Sequence, residues 1–273
     1  MKIPEFSTVK EKIDFLVKNQ DKIIAAKKAQ MKCADAVSFG CLAISKAGDE
    51  VDKANKPVTD DIDQVKVKAV INTTNLMDSH DDVHLPGLWT KSLRENKDIF
   101  HDQEHRHGFD STIADYEDLK AYTQVMTWKE LGFKWEGETE ALIFDSTVKQ
   151  ERNAFMFGQY KAARVRNHSV GMQYVKIFLA VNDKEYPTEK KVWDKYIDQV
   201  VNKDEAEKQG YFFAVTEAKV IEGSAVKRGS NWATPTLENN MKEEPSDDTP
   251  KEPVKTTLNS DEIIKRIYEH FKN

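Results

Sequence analysis

Residues 65–71 read Val-Lys-Val-Lys-Ala-Val-Ile, and this stretch decides the fold class. Val65, Val67, Ala69 and Ile71 alternate with Lys66, Lys68 and Val70. A period of two places one set of side chains on each face of an extended chain, so the spacing predicts a half-buried strand. Outward from it, residues 122–128, 141–146, 169–179 and 212–220 have the same strand texture. Helical spacing appears twice between them. Residues 149–164 carry Phe155, Met156, Tyr160 and Ala163, with Gly158 as the weak point, and residues 189–209 carry Val192, Tyr196, Val200 and Ala206. Strands outnumber helices in the centre and are not regularly separated by crossover helices. The expectation is a mainly antiparallel α+β domain rather than a doubly wound one.

The flanks have a different texture. Residues 9–37 place Ile13, Leu16, Val17, Ile23, Ile24 and Ala34 among many Lys and Glu, which predicts one or two amphipathic helices. Residues 48–63 turn polar around Pro57 and an Asp-Asp-Ile-Asp run and read as a linker. Residues 237–259 are acidic, contain Pro245, Pro250 and Pro253, and have few large apolar side chains to offset chain entropy, so they read as a disordered linker. Residues 260–273 then form an amphipathic helix candidate: Ser260 is a cap, and Ile263, Ile264, Ile267 and Phe271 share a face. The expected organisation is a helical segment over 1–47, a linker over 48–64, the main domain over 65–236, and the two tail segments.

Composition excludes several classes. The 273 residues carry a formal charge of −6, which argues against a general nucleic-acid binder. The longest uncharged apolar runs, such as residues 177–181, fall far short of the roughly 20 residues of a membrane span, and no membrane contact or secretion signal is expected. The two cysteines, Cys33 and Cys41, lack a metal-binding or disulfide pattern. No Gly-rich phosphate loop is present.

Six of the seven histidines lie between positions 80 and 168, with three in the run His101-Asp-Gln-Glu-His105-Arg-His107. The run admits three readings: a metal site, with Asp78, His80, Asp81 and His84 as further ligands; a single general base among solvated neighbours; or a polar loop without function. Ser169, at the start of a predicted strand and followed by Gly171, is a candidate nucleophile if a distant histidine reaches its hydroxyl. Gly171 is read as leaving room for a substrate backbone.

Order joins these pieces. The chain contains Asp82-Val-His-Leu-Pro-Gly87, a short helix, a histidine-bearing strand, a helix, Ser169-Val-Gly171, and then Val220-Ile-Glu222-Gly-Ser224. Over residues 65–236 this series resembles the prohead protease family of tailed bacteriophages, serine proteases whose fold is similar to the herpesvirus capsid maturation protease.

The resemblance implies a β-barrel-like core with surrounding helices. It also implies Ser169 as nucleophile and a general base within the histidine run. The family's acidic-His pair matches Glu104-His105, with His101 and His107 as alternative bases. Glu222 matches the position that orients the base. His168 adjoins Ser169, but consecutive strand residues face opposite ways, so it is not the base. Arg164 or Arg166 is considered for the oxyanion, against simple exposure at the helix end. No cofactor or metal is implied. The implied partners are the major capsid protein and its scaffold, with self-association, and the implied location is the assembling prohead in the host cytoplasm. The competing expectations are a metal-dependent hydrolase built on the His80 to His107 region and a non-catalytic assembly protein.

Overall fold

In a computed structural model the described residues are 4–30 and 63–241. Expectations on both cysteines, on most of the 48–64 linker and on the terminal helix lie outside them. The chain begins with α1 (Val9–Lys18), α2 (Gln20–Ala29), β1 (Gln64–Thr73), β2 (Asp82–His84), α3 (Thr90–Glu95), β3 (Phe100–Gln103), β4 (Thr112–Ala114) and β5 (Leu119–Thr127). It continues with β6 (Glu138–Lys149), α4 (Ala154–Lys161), β7 (Asn167–Val181), α5 (Pro187–Tyr196), α6 (Lys203–Gln209), β8 (Tyr211–Val226) and β9 (Thr236–Met241).

The alternating stretch becomes β1, inside an antiparallel sheet of order β5-β6-β1-β9. Val65, Val67, Ala69 and Ile71 enter a core shared with Leu142, Phe144, Val170 and Val220. The opposite face is not simply solvated, because Val70 joins a second cluster with Trp128, Ile143 and Ala233. The second sheet is built on the long β8. Its one edge pairs antiparallel with β7, and its other edge takes β2 and then β3 in parallel, with β4 outside β3.

The molecule is therefore α+β, with antiparallel pairing predominant, but the barrel-like core is not formed. Closure needs a continuous ladder between edge strands. Here β4 and β5 remain edges among the described residues, and the link between sheets at Asn167 and Pro235 is an isolated bridge. The sheets approach closely at Gly223, where a Cβ would lie 2.5 Å from Phe144 and 2.9 Å from Ile71.

Helix boundaries shift for identifiable reasons. Lys149 ends β6 opposite Gln64, so α4 starts only after Asn153, whose side chain accepts from Met156 N at 3.0 Å. The single helix expected over 189–209 is broken near Val200. There Val201 N donates to Asn75 O, and the Asn202 side chain bonds both backbone groups of Met77. Gly210, at φ +77°, ends α6 in the left-handed conformation suited to glycine.

Thr8 caps α1, and Ile13, Leu16 and Ile23 enter the shared core. Both N-terminal helices thus belong to the same unit as the sheets, although the sequence set them apart. The domain also extends past Thr236, since β9 pairs with β1 as far as Met241. Strand pairing satisfies backbone groups that composition alone assigned to a linker. No helix among the described residues is long and apolar enough to cross a membrane.

Candidate active site

Strand register builds the site. Ser169 of β7 lies opposite Ser224 of β8, which lies opposite Asp102 of β3; one step along, Gly171 and Phe100 flank Glu222. Paired residues share a face and alternate residues return to it. Ser169, Gly171, Glu222, Ser224 and Asp102 therefore lie on one face, while His168, Val170, Gly223, Ala225 and His101 lie on the other.

His105 reaches the first face through a sharp reversal at the end of β3. Glu104 and His105 both adopt positive φ, +53° and +54°, a region that residues with a Cβ seldom occupy. The reversal is held by Glu104 N donating to Ala225 O and by His105 N donating to Ser224 Oγ, each at 3.0 Å. The His105 ring then lies with Nδ1 2.6 Å from Glu222 Oε1, and both side chains are buried. Ser224 Oγ donates to the other oxygen, Oε2, at 2.6 Å.

Glu222 thus accepts on both oxygens. This places the hydrogen of a neutral His105 on Nδ1 and leaves the Nε2 lone pair available. Nε2 is buried and unpartnered among the described residues, and the Ser169 hydroxyl makes no hydrogen bond there either. A base and a hydroxyl on one face, each with bonding capacity unused, form an arrangement that substrate can tighten. Gly171 has a different use from the expected one. A Cβ there would lie 1.9 Å from Glu222 Oε1, so the space belongs to the orienting carboxylate rather than to a substrate backbone.

The other histidines of the run take different places. His101 lies fully buried on the core face, with Nδ1 2.9 Å from Ser146 Oγ and Nε2 3.1 Å from Tyr160 OH. Both ring nitrogens are engaged, and burial holds the imidazole well below its ordinary pKa. It is not placed to serve as the alternative base. His168 shares Tyr160 OH at 3.0 Å and faces away from Ser169. His107 is half exposed, with Nδ1 3.5 Å from Asp102 Oδ2.

The residues proposed as metal ligands are likewise divided. Asp78, His80 and Asp82 bring ligand atoms within 4.8 Å of one another, but the Lys27 ammonium pairs with Asp82 Oδ1, and Tyr174 OH donates to its Oδ2 at 2.8 Å. A lysine already supplies the cation there. His84 is tied to Asn72 and Tyr174, and Asp81 accepts from Tyr211 OH. The histidine run contributes nothing to this group.

No protein-family model, curated protein or solved structure matches the chain.

Arg164 and Arg166 line a cleft of about 440 Å3 with Phe155, Gln159, Asn167 and Glu104, at the end of β7 where Ser169 lies. Two residues escaped the sequence reading. Ser224, left without a role beyond Glu222, joins Glu222 to the His105 backbone. Asp102 shares the site's face. The signal for Ser224 was present in alternation, since it lies two residues from Glu222, whereas Asp102 is brought to the face by the register of β3 on β8.

Proposed function

We propose that the chain is a serine endopeptidase of the capsid-maturation type, with Ser169 as nucleophile, His105 as general base and Glu222 as the group that orients the base. The observation that carries this reading is the His105 ring: Nδ1 is tied to a buried carboxylate, and Nε2 is unpartnered among the described residues, while Ser169 lies on the same sheet face as that carboxylate. Nε2 takes the hydroxyl proton as Ser169 Oγ attacks a scissile carbonyl. The resulting imidazolium, stabilised by Glu222, returns that proton to the leaving amine. Water, deprotonated by the same nitrogen, then releases the acyl group, and no cofactor enters either step.

The assembly context rests on the family resemblance. In it the substrates are the major capsid protein and its scaffold, cleaved inside the assembling prohead by an enzyme that self-associates.

The test is coexpression with the cognate capsid protein and mass spectrometry of product termini, together with labelling by a serine-directed fluorophosphonate. Ser169→Ala removes one hydroxyl without adding bulk, so the fold is retained while turnover falls on the order of a million-fold. Labelling is expected at Ser169 and absent in the variant. Undiminished processing by folded Ser169→Ala protein would end the proposal.

A further inference from the structure

Asp102 is a second buried carboxyl on the catalytic face, and nothing in the mechanism above uses it. It lies in β3 directly opposite Ser224, and hence in the row that ends at Ser169. Its Oδ2 stands 3.5 Å from His107 Nδ1, while its Oδ1 is buried without a hydrogen-bond partner among the described residues. A buried, unsatisfied carboxyl oxygen carries a cost that folds rarely retain without a use. The charged and titratable groups around it are Glu222 from β8, His107 from the segment after β3, and Arg152 at the approach to α4, whose charge couples to Asp102; His105 is linked to it through Glu222, whose Oε1 lies 2.6 Å from His105 Nδ1. Thr112 of β4 adds a hydroxyl.

We infer that Asp102 is a positioning residue that acts through His105: when ionised, its negative charge adds to that of Glu222 and stabilises the His105 imidazolium formed during acyl transfer. The kinetic half of this inference rests on the serine-protease reading, whereas the electrostatic half depends only on the geometry. The two carboxyls share one face, and only Glu222 has both oxygens satisfied. Two like charges so near one another are not held equally, and the carboxyl with fewer donors keeps its proton to higher pH. In agreement, burial first and the Glu222 charge second push the Asp102 carboxyl up to about 6, against the smaller opposing effects of Thr112 and His107. The second negative charge therefore appears just below neutrality. His107 reaches solvent and meets Asp102 Oδ2 from outside the core.

The experiment follows the His105 ring by NMR titration in the full chain carrying Ser169→Ala, with and without Asp102→Asn. Removing the charge is expected to lower the His105 pKa by about one pH unit. In the chain with Ser169 intact, Asp102→Asn is expected to move the acid limb of kcat/KM to lower pH by a similar amount and to lower the neutral plateau about tenfold. A merely structural role would lower the plateau without moving the limb. Because Asp102→Asn leaves a buried amide that threatens folding, His107→Gln at the half-exposed position provides the second arm. The His107 side chain holds the Asp102 carboxyl down, so its loss raises the Asp102 pKa and the Asp102-linked inflection in the His105 titration moves upward. A His105 titration unmoved by either substitution overturns the inference. A shifted titration in a chain that cleaves no peptide upholds the electrostatic coupling and rejects the protease reading instead.

Discussion

Removing the Ser224 hydroxyl takes one donor from Glu222 and one acceptor from the His105 backbone. Hydrogen bonds to charged groups contribute roughly 1.5–3 kcal/mol, so Ser224→Ala is expected to lower kcat/KM about tenfold to a hundredfold while the nucleophile stays in place. Activity equal to the parent would show that Glu222 holds His105 unaided. The histidines separate by a different pair of measurements. His105→Ala is expected to abolish peptide cleavage with only a modest change in Tm. His101→Ala removes the partner of both Ser146 and Tyr160 inside the core, so it is expected to lower Tm while activity per folded molecule persists. Abolished cleavage in folded His101→Ala with cleavage retained in His105→Ala would reverse the assignment.

Strand β8 holds the site together, because its alternation sends Glu222 and Ser224 to the face that carries Ser169 and Gly223 to the core between the sheets. Two glycine substitutions distinguish these faces. Gly171→Ala drives a methyl group into the Glu222 carboxylate, so it is expected to cut turnover at least tenfold by displacing the group that orients His105. Gly223→Ala meets Phe144 and Ile71 instead and is expected to cost about 1–3 kcal/mol of stability through overpacking. Denaturant titration alongside kcat/KM checks both, and equal effects on activity and stability in the two variants would contradict the division of faces. Strand β3 contributes a reversal rather than length: it ends at Gln103, and the left-handed pair that follows returns His105 to the sheet.

Across the whole molecule, the buried histidines link stability to pH. Burial holds His101 well below its ordinary pKa, with the His168 charge as a further cause. Burial also holds His168 at about 4, against a smaller raising effect from the Thr234 backbone. In the unfolded chain both titrate near 6.5. The unfolded state therefore binds protons that the folded state refuses, and stability present at neutral pH is lost as pH falls below about 6.5. Each histidine contributes a slope of about 1.4 kcal/mol per pH unit. Asp102 acts with the opposite sign: its folded carboxyl keeps a proton up to about 6, whereas the unfolded group releases it near 3.8, so it offsets one histidine between those values. Two histidines against one carboxyl leave a net loss. Tm is expected to fall steadily from pH 7 to pH 5 and to fall more steeply in Asp102→Asn. A flat profile would contradict the neutral buried pair.

Local periodicity determined much of this molecule. The alternation at residues 65–71, and again around Ser169 and Glu222, sets which side chains share a face, because the period of an extended backbone is independent of its neighbours. The α+β class and the separation of His168 from Ser169 follow from that alone. Pairing between distant segments decided the rest. Strands β2 and β4 have three residues each, too few to carry a period, and exist through their partners. Strand β9 forms from a polar stretch because β1 offers it an edge. The two sheets stay open because no ladder among the described residues joins their edge strands. Among the histidines of one short run, the register of β3 on β8 sends His101 into the core, and the backbone reversal after β3 turns His105 toward Glu222. Spacing along the chain could not separate them, since the contacts that do so come from distant residues, 45 and 59 positions away for His101 and 117 for His105.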